Sequence, residues 1–164
     1  MNGILGNKVP VKILIPKQEK DSRFLEKEMD FIQEKVDILI IQLEGNLYFG
    51  SAYDLESKLD SLVYKSRVFI LRMKRVATID ITSLDAIKIF IRSVKESGGS
   101  IIVCGVNSGL NSMLLNSNMT SLIGKENIFM TEDEVFASSN KALEKAREII
   151  NCNGQLTIDN NVEC

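Results

Sequence analysis

The chain has no histidine and no tryptophan, and only two prolines and three cysteines in 164 residues. Without histidine, imidazole acid–base catalysis, Ser-His-Asp triads and His-ligated metals are excluded. Cys104, Cys152 and Cys164 are too few and too scattered for a zinc cluster, so no metal site is expected. An odd cysteine count without paired spacing argues against a disulfide framework and for a reducing compartment. Cys104 lies in an apolar strand and reads as a small packed hydrophobe. Long apolar runs are missing as well. The tightest, Ile38–Ile41 and Val68–Leu71, are strand-sized and far short of the ~18 residues of a membrane span, so direct membrane insertion is not expected. Met1 to Lys12 carries no signal-peptide stretch, and the expectation is a soluble, intracellular chain. Nor is one sign of charge in excess. Twenty basic residues stand against 22 acidic ones, which leaves generic binding to nucleic acid or an anionic membrane without an electrostatic basis.

What is present is an ordinary globular composition, 45% hydrophobic and 26% charged, in a length that suits one domain. Residues 1–10 hold two glycines and a proline and read as an irregular lead-in. Residues 11–150 read as one domain. Val11–Ile15 suits an edge strand stopped by Pro16. Asp21 or Ser22 is placed to cap a helix reaching Val36, with Leu25, Met29, Ile32 and Val36 on one face. Asp37–Leu43 reads as a strand buried on both faces. Gly45–Gly50 reads as a turn, and Ser51 to about Tyr64 as a helix with Leu55, Leu59 and Leu62 inward.

The rhythm then repeats. Arg67–Met73 is the next strand, and Thr82 or Ser83 opens a helix that ends at Gly98-Gly99. Ile101–Cys104 is a strand, Gly109–Asn116 a short helix, Asn127–Phe129 a last strand, and Glu132–Ile150 a final helix capped by Thr131. Asn-rich residues 151–164 lack periodicity and read as a flexible tail. Strand and helix alternate as in an α/β domain, here with a mixed, mainly parallel sheet of four to five strands and helices packed on it.

Nucleotide fingerprints do not fit. Gly124-Lys125-Glu126 lacks the upstream Gly and the hydroxyl residue of a phosphate loop, and Gly105–Gly109 has the wrong spacing for a dinucleotide turn. No cofactor is expected, although weak nucleotide binding stays open. Asp80 and Asp85 flank one loop without a nucleophile or basic partner pattern, so they read as solvated acids at a helix start. Ser, Thr, Lys and Cys104 have no visible activating base, and no enzymatic activity is expected.

The informative stretch is Ile70–Leu84, which runs from an apolar strand through a basic turn into Asp-x-Thr at a helix start. Thr82 or Ser83 suits the N-cap, and Asp85 offers a weak capping box to Thr82. The same hydroxyl stands at the positive end of a helix, where a phosphate would be welcome. Asp80 and Asp85 would oppose that charge, while Arg72, Lys74 and Arg75 are candidates to answer it.

At these residues the chain resembles STAS domains, the module shared by anti-sigma-factor antagonists and the cytoplasmic C-termini of SulP-type anion (sulfate) transporters. The likeness spans Leu39–Ile150 and rests on four pieces in order. They are Leu43-Glu44-Gly45-Asn46-Leu47-Tyr48-Phe49-Gly50, Ile70–Val76, Ile79-Asp80-Ile81-Thr82-Ser83-Leu84 and Glu126-Asn127-Ile128-Phe129. The first, second and fourth are similar to the transporter branch. By resemblance, the family's phosphorylatable position falls on Thr82, with Asp80 as the preceding acid. Ser83 stands where the family usually has Gly, and it offers a second hydroxyl.

The resemblance implies a non-enzymatic regulatory, protein-interaction domain of a SulP-like transporter, at the cytoplasmic face of a membrane. Its partner would be the transmembrane domain or a regulatory protein, met through Asp80, Ile81, Thr82, Leu84 and Asp85. Association as a homodimer is compatible with it. The alternative it implies is a free-standing anti-sigma-factor antagonist switched by phosphorylation at Thr82.

Overall fold

The computed structural model describes residues 11–18, 24–134 and 136–155. Three strands come first: β1 (Val11–Gln18), β2 (Phe24–Met29) and β3 (Val36–Leu47). Alternation follows, through α1 (Phe49–Asp60), β4 (Ser66–Ile79), α2 (Ile81–Glu96) and β5 (Ser100–Val106). Two short helices, α3 (Ser108–Asn116) and α4 (Met119–Ile123), lead by a single 3-10 turn to β6 (Ile128–Met130). The long α5 (Ala137–Gln155) ends the described chain.

The strands form one sheet in the order β2-β1-β3-β4-β5-β6, so the sheet has six strands where four to five were expected. β3, β4, β5 and β6 run parallel, and β1 joins β3 and β2 antiparallel. The mixed, mainly parallel α/β reading holds. The additional strand is β2, which replaces the helix expected up to Val36. Its pairing of Met29 with Ile13 and Lys27 with Ile15 gives the segment a neighbour that a propensity reading cannot see. The expected caps Asp21 and Ser22 lie outside the described residues, as does the lead-in.

β1 is therefore no edge strand. It pairs with β3 only over Val11–Leu14, whereas Pro16 lies where β2 alone is opposite, so the missing N–H costs no ladder bond to β3. The expected turn at Gly45–Gly50 divides between strand and helix: β3 continues to Leu47, with its register slipping around Glu44 and Gly45, where Gly45 has φ +74°, and α1 begins at Phe49. Likewise the expected basic turn after Met73 is strand, because β4 runs on to Ile79 beside β3. At the far end α5 continues through residues 151–155, so the expected flexible tail is helical there, and residues 156–164 lie outside the described ones. The final helix also starts later than expected, at Ala137 instead of Glu132.

Alternation of side chains sorts the core into two layers. Leu39, Ile41, Leu43, Phe69, Leu71, Ile101 and Val103 face α1 and α2, and join Leu55, Leu59, Ile87, Phe90 and Ile91 there. Phe69 and Phe90 meet edge to face, with ring centroids 5.3 Å apart. Ile40, Val68, Ile70, Ile102 and Cys104 face the other way, onto Ala142, Leu143 and Ala146 of α5.

Candidate functional site

The site is the junction of β4 with α2, and its shape begins with one hydrogen bond. The Asp80 N–H donates to the Leu47 carbonyl at 3.0 Å, tying the end of β4 to the end of β3. Asp80 then takes extended geometry (φ −93°, ψ 171°), and its Oδ1 accepts from the Ser83 N–H at 2.8 Å. Asp80 is thus the N-cap of α2, in place of the expected Thr82 or Ser83, and the Asp85 capping box does not form. Its short carboxylate reaches the third helical N–H, and its charge suits the positive helix end.

Once Asp80 caps, the next residues are fixed by helical geometry. Ile81 is 64% exposed. Thr82 is half-buried in the first turn, and Asp85 is exposed one turn on. Ser83 and Leu84 turn inward and are buried, at 0% and 2% exposure. Leu84 therefore belongs to the core and not to a contact loop. Ser83 displays no second hydroxyl at the surface, and its Oγ is buried without a hydrogen-bond partner. Of the expected hydroxyl pair, only Thr82 reaches the surface.

The three cations are not gathered around Thr82. Arg72 lies seven residues before the end of β4, about 23 Å of strand rise, and on the face that packs toward α5. Its guanidinium donates to both Glu26 carboxylate oxygens, at 2.8 and 2.5 Å, and to Gln42 Oε1 at 3.2 Å. Burial works to lower the Arg72 pKa, but the hydrogen bonds and charge of Glu26 outweigh it and the net shift is upward. The same burial pushes the Cys104 thiol above the ordinary thiol range, in keeping with its role as a packed hydrophobe. Arg75 bonds Glu44 at 3.0 Å, and Lys74 is exposed beside it; both stand roughly 13–17 Å up the strand from Ile79.

The Arg72–Glu26 pair went unseen in the sequence because β2 itself did. The sequence offers no clean alternation there, because Leu25 and Met29 flank three successive charged residues, Glu26, Lys27 and Glu28. Among the described residues, no group of three or more acids or cysteines is placed to hold a metal. No described helix is long and apolar enough to cross a membrane.

What this junction can do is present a capped helix start, with an apolar side chain, a hydroxyl and a carboxylate at its surface. Residues 32–135 match the family described as STAS domain. The chain belongs to the STAS domain family. It is 27% identical over 104 residues to the putative sulfate transporter YvdB of Bacillus subtilis (strain 168), covering 63% of this chain and 20% of that protein. The chain thus spans about a fifth of the length of that curated relative. Among solved structures, it is similar to a sulfate transporter family protein from Wolinella succinogenes, with 31% identity and a TM-score of 0.58 over 71% of this chain and 93% of that one. A SulP transporter STAS domain from Vibrio cholerae shares 26% identity, with a TM-score of 0.54 over 74% and 88%. A putative anti-sigma factor antagonist from Thermotoga maritima, 22% identical with a TM-score of 0.54 over 70% and 92%, shares the fold. Transporter STAS domains are therefore relatives of this chain, and the antagonist shares its fold.

Proposed function

We propose that this STAS domain is the non-enzymatic regulatory and docking domain of a SulP-like anion transporter, standing at the cytoplasmic side of the membrane. The observation that carries the reading is the 31% identity to a sulfate transporter family protein across 93% of that chain. The docking face is the start of α2. Ile81, Asp85 and Ile89 follow one another at i, i+4 and i+8, and all three are exposed, Ile81 at 64% and Ile89 at 46%. Exposed isoleucines on a helix whose other side is anchored in the core suit contact with another protein surface.

Its partner is the transmembrane part of the transporter or a regulatory protein. Thr82 belongs to this face, but a phosphate on it would meet Asp80 and Asp85 before any of the three candidate cations. The buried Ser83 also fills the position where the family's glycine lets a partner backbone approach. Both features favour constitutive docking over a phosphorylation switch. The second reading, an antagonist switched at Thr82, is favoured by one observation, the surface hydroxyl at the positive end of α2.

Fractionation of the native source with an antibody to this domain separates the two. The transporter reading expects the antigen in the membrane fraction, in a polypeptide well above 18.4 kDa. A soluble antigen of about that mass, carrying phosphate at Thr82, would overturn it in favour of the second reading.

A further inference from the structure

β4 is the longest strand, and its last third has lost one neighbour. Over Val68–Arg72 it is paired on both sides, by β3 and by β5. The β5 ladder ends where Arg72 meets Cys104. There Gly105, at φ +72°, passes so close to Lys74 that a Cβ would lie 2.6 Å from the Lys74 nitrogen, and β5 ends one residue later at Val106, paired with β6 alone. β3, by contrast, stays with β4 until Leu47 meets Ile79. From Arg75 to Ile79, one edge of β4 has no strand against it among the described residues.

Backbone N–H and C=O groups on such an edge are complemented by one kind of ligand above all, another extended chain. Five residues span about 17 Å, an ordinary strand length. The surroundings say more. A cleft of about 290 Å³ lies along this edge, with Val76, Ile79, Leu110 and Met113 among its walls. All four side chains also pack against the larger core layer, so the cleft has a firm apolar floor. Just upstream of the cleft on the same strand, Lys74 is exposed and forms no ion pair among the described residues.

The geometry points to this edge as a second docking site, taking an extended peptide segment of a partner protein that adds a strand to β4. Apolar side chains of the segment alternate into the cleft, and an acidic residue meets Lys74. The site is separate from the α2 face and stands whichever of the two functional readings holds.

The test uses a seven-residue peptide library displayed on phage and selected on the immobilised chain. The expected result is enrichment of sequences that alternate apolar residues and carry Asp or Glu at one end. Amide shifts on binding the synthetic winner should concentrate at 75–79 and 107–113. N-methylation of alternate peptide amides should weaken binding at least tenfold, and Lys74→Glu should weaken it by a similar factor while leaving the unfolding curve unchanged. The proposal is overturned by a selection without enrichment, by shifts centred on α2, or by affinity indifferent to N-methylation. It is also overturned if the chain is a dimer whose interface already occupies residues 75–79.

Discussion

The two faces of the sheet are built on different rules. Toward α1 and α2 the layer is dry in the sense of being apolar: Leu39, Ile41, Leu43 and Phe69 are all fully buried, and no buried ionisable side chain joins them among the described residues. Toward α5 the apolar patch is smaller, and beside it lies a charged group, Arg72, held by Glu26 and Gln42. Because β1 and β3 stand between β2 and β4 in the sheet, the Arg72–Glu26 contact requires the β1–β2 hairpin to curl over this face. One face thus fixes the start of α2 through packing, while the other fastens the hairpin through charge. Hydrophobic packing is strong and non-directional; a paired charge adds little net stability but specifies which strand goes where.

The sharpest way to break the contrast is to empty each face in turn. Phe69→Ala removes the ring that meets Phe90, and urea unfolding should show a loss of about 3–5 kcal/mol. Arg72→Met on the other face should cost less, about 1–2 kcal/mol, because the Glu26 side chain is 29% exposed and can turn to water. Adding Glu26→Leu to Arg72→Met should recover at least half of that loss. A double variant as weak as the sum of its singles would show that the pair does not fasten the hairpin.

The dry face and the parallel strands were legible in the sequence because their signals are local and periodic. Leu84, Ile87, Ile91 and Val94 at +3, +4, +3 could only be one side of a helix, and Ile38–Ile41 only a buried strand. The charged face was not legible. Leu25, Met29 and Ile32 satisfy helical spacing as well as they satisfy a strand and its following loop, and pairing with β1 decided between them. The extent of β3 and β4 beyond Leu43 and Met73 was hidden for a similar reason. Glycine and clustered basic residues read as turns, yet two parallel strands can run together through register slips. At the site itself the helix start was visible, whereas the identity of the cap was not. Asp80, Thr82 and Ser83 are all good capping residues, and only the backbone tie from Asp80 to Leu47 selects the first.

Smaller perturbations sharpen the contrast at the junction. Asp80→Ala should destabilise by about 1 kcal/mol in the same unfolding experiment, the usual worth of a cap. Ser83→Ala should leave stability unchanged or raise it by up to about 1 kcal/mol, since the buried Oγ has no partner to lose. A clear loss in Ser83→Ala would show that the hydroxyl is satisfied after all.

The smallest effect is a pH dependence at Glu44. Burial pushes its carboxyl up, but the bond from Gln42 and the charges of Arg75 and Lys12 bring it below 4.5. A depressed folded-state pKa means stability fully present above about 4.5 and lost as the pH falls through the lower folded value. Glu44→Gln should flatten the stability profile in that acid window and leave it unchanged near pH 7.

The central claim is that the dry face fixes α2 so that its exposed side can dock. A photo-crosslinking residue placed at Ile81 of the native protein tests it directly, with the same residue at exposed Glu148 on α5 as the control. The account predicts an Ile81 adduct with a membrane-embedded segment or a membrane-bound regulator, and no such adduct from Glu148. Adducts from Glu148 alone, or from Ile81 only to a soluble regulator of transcription, would contradict it.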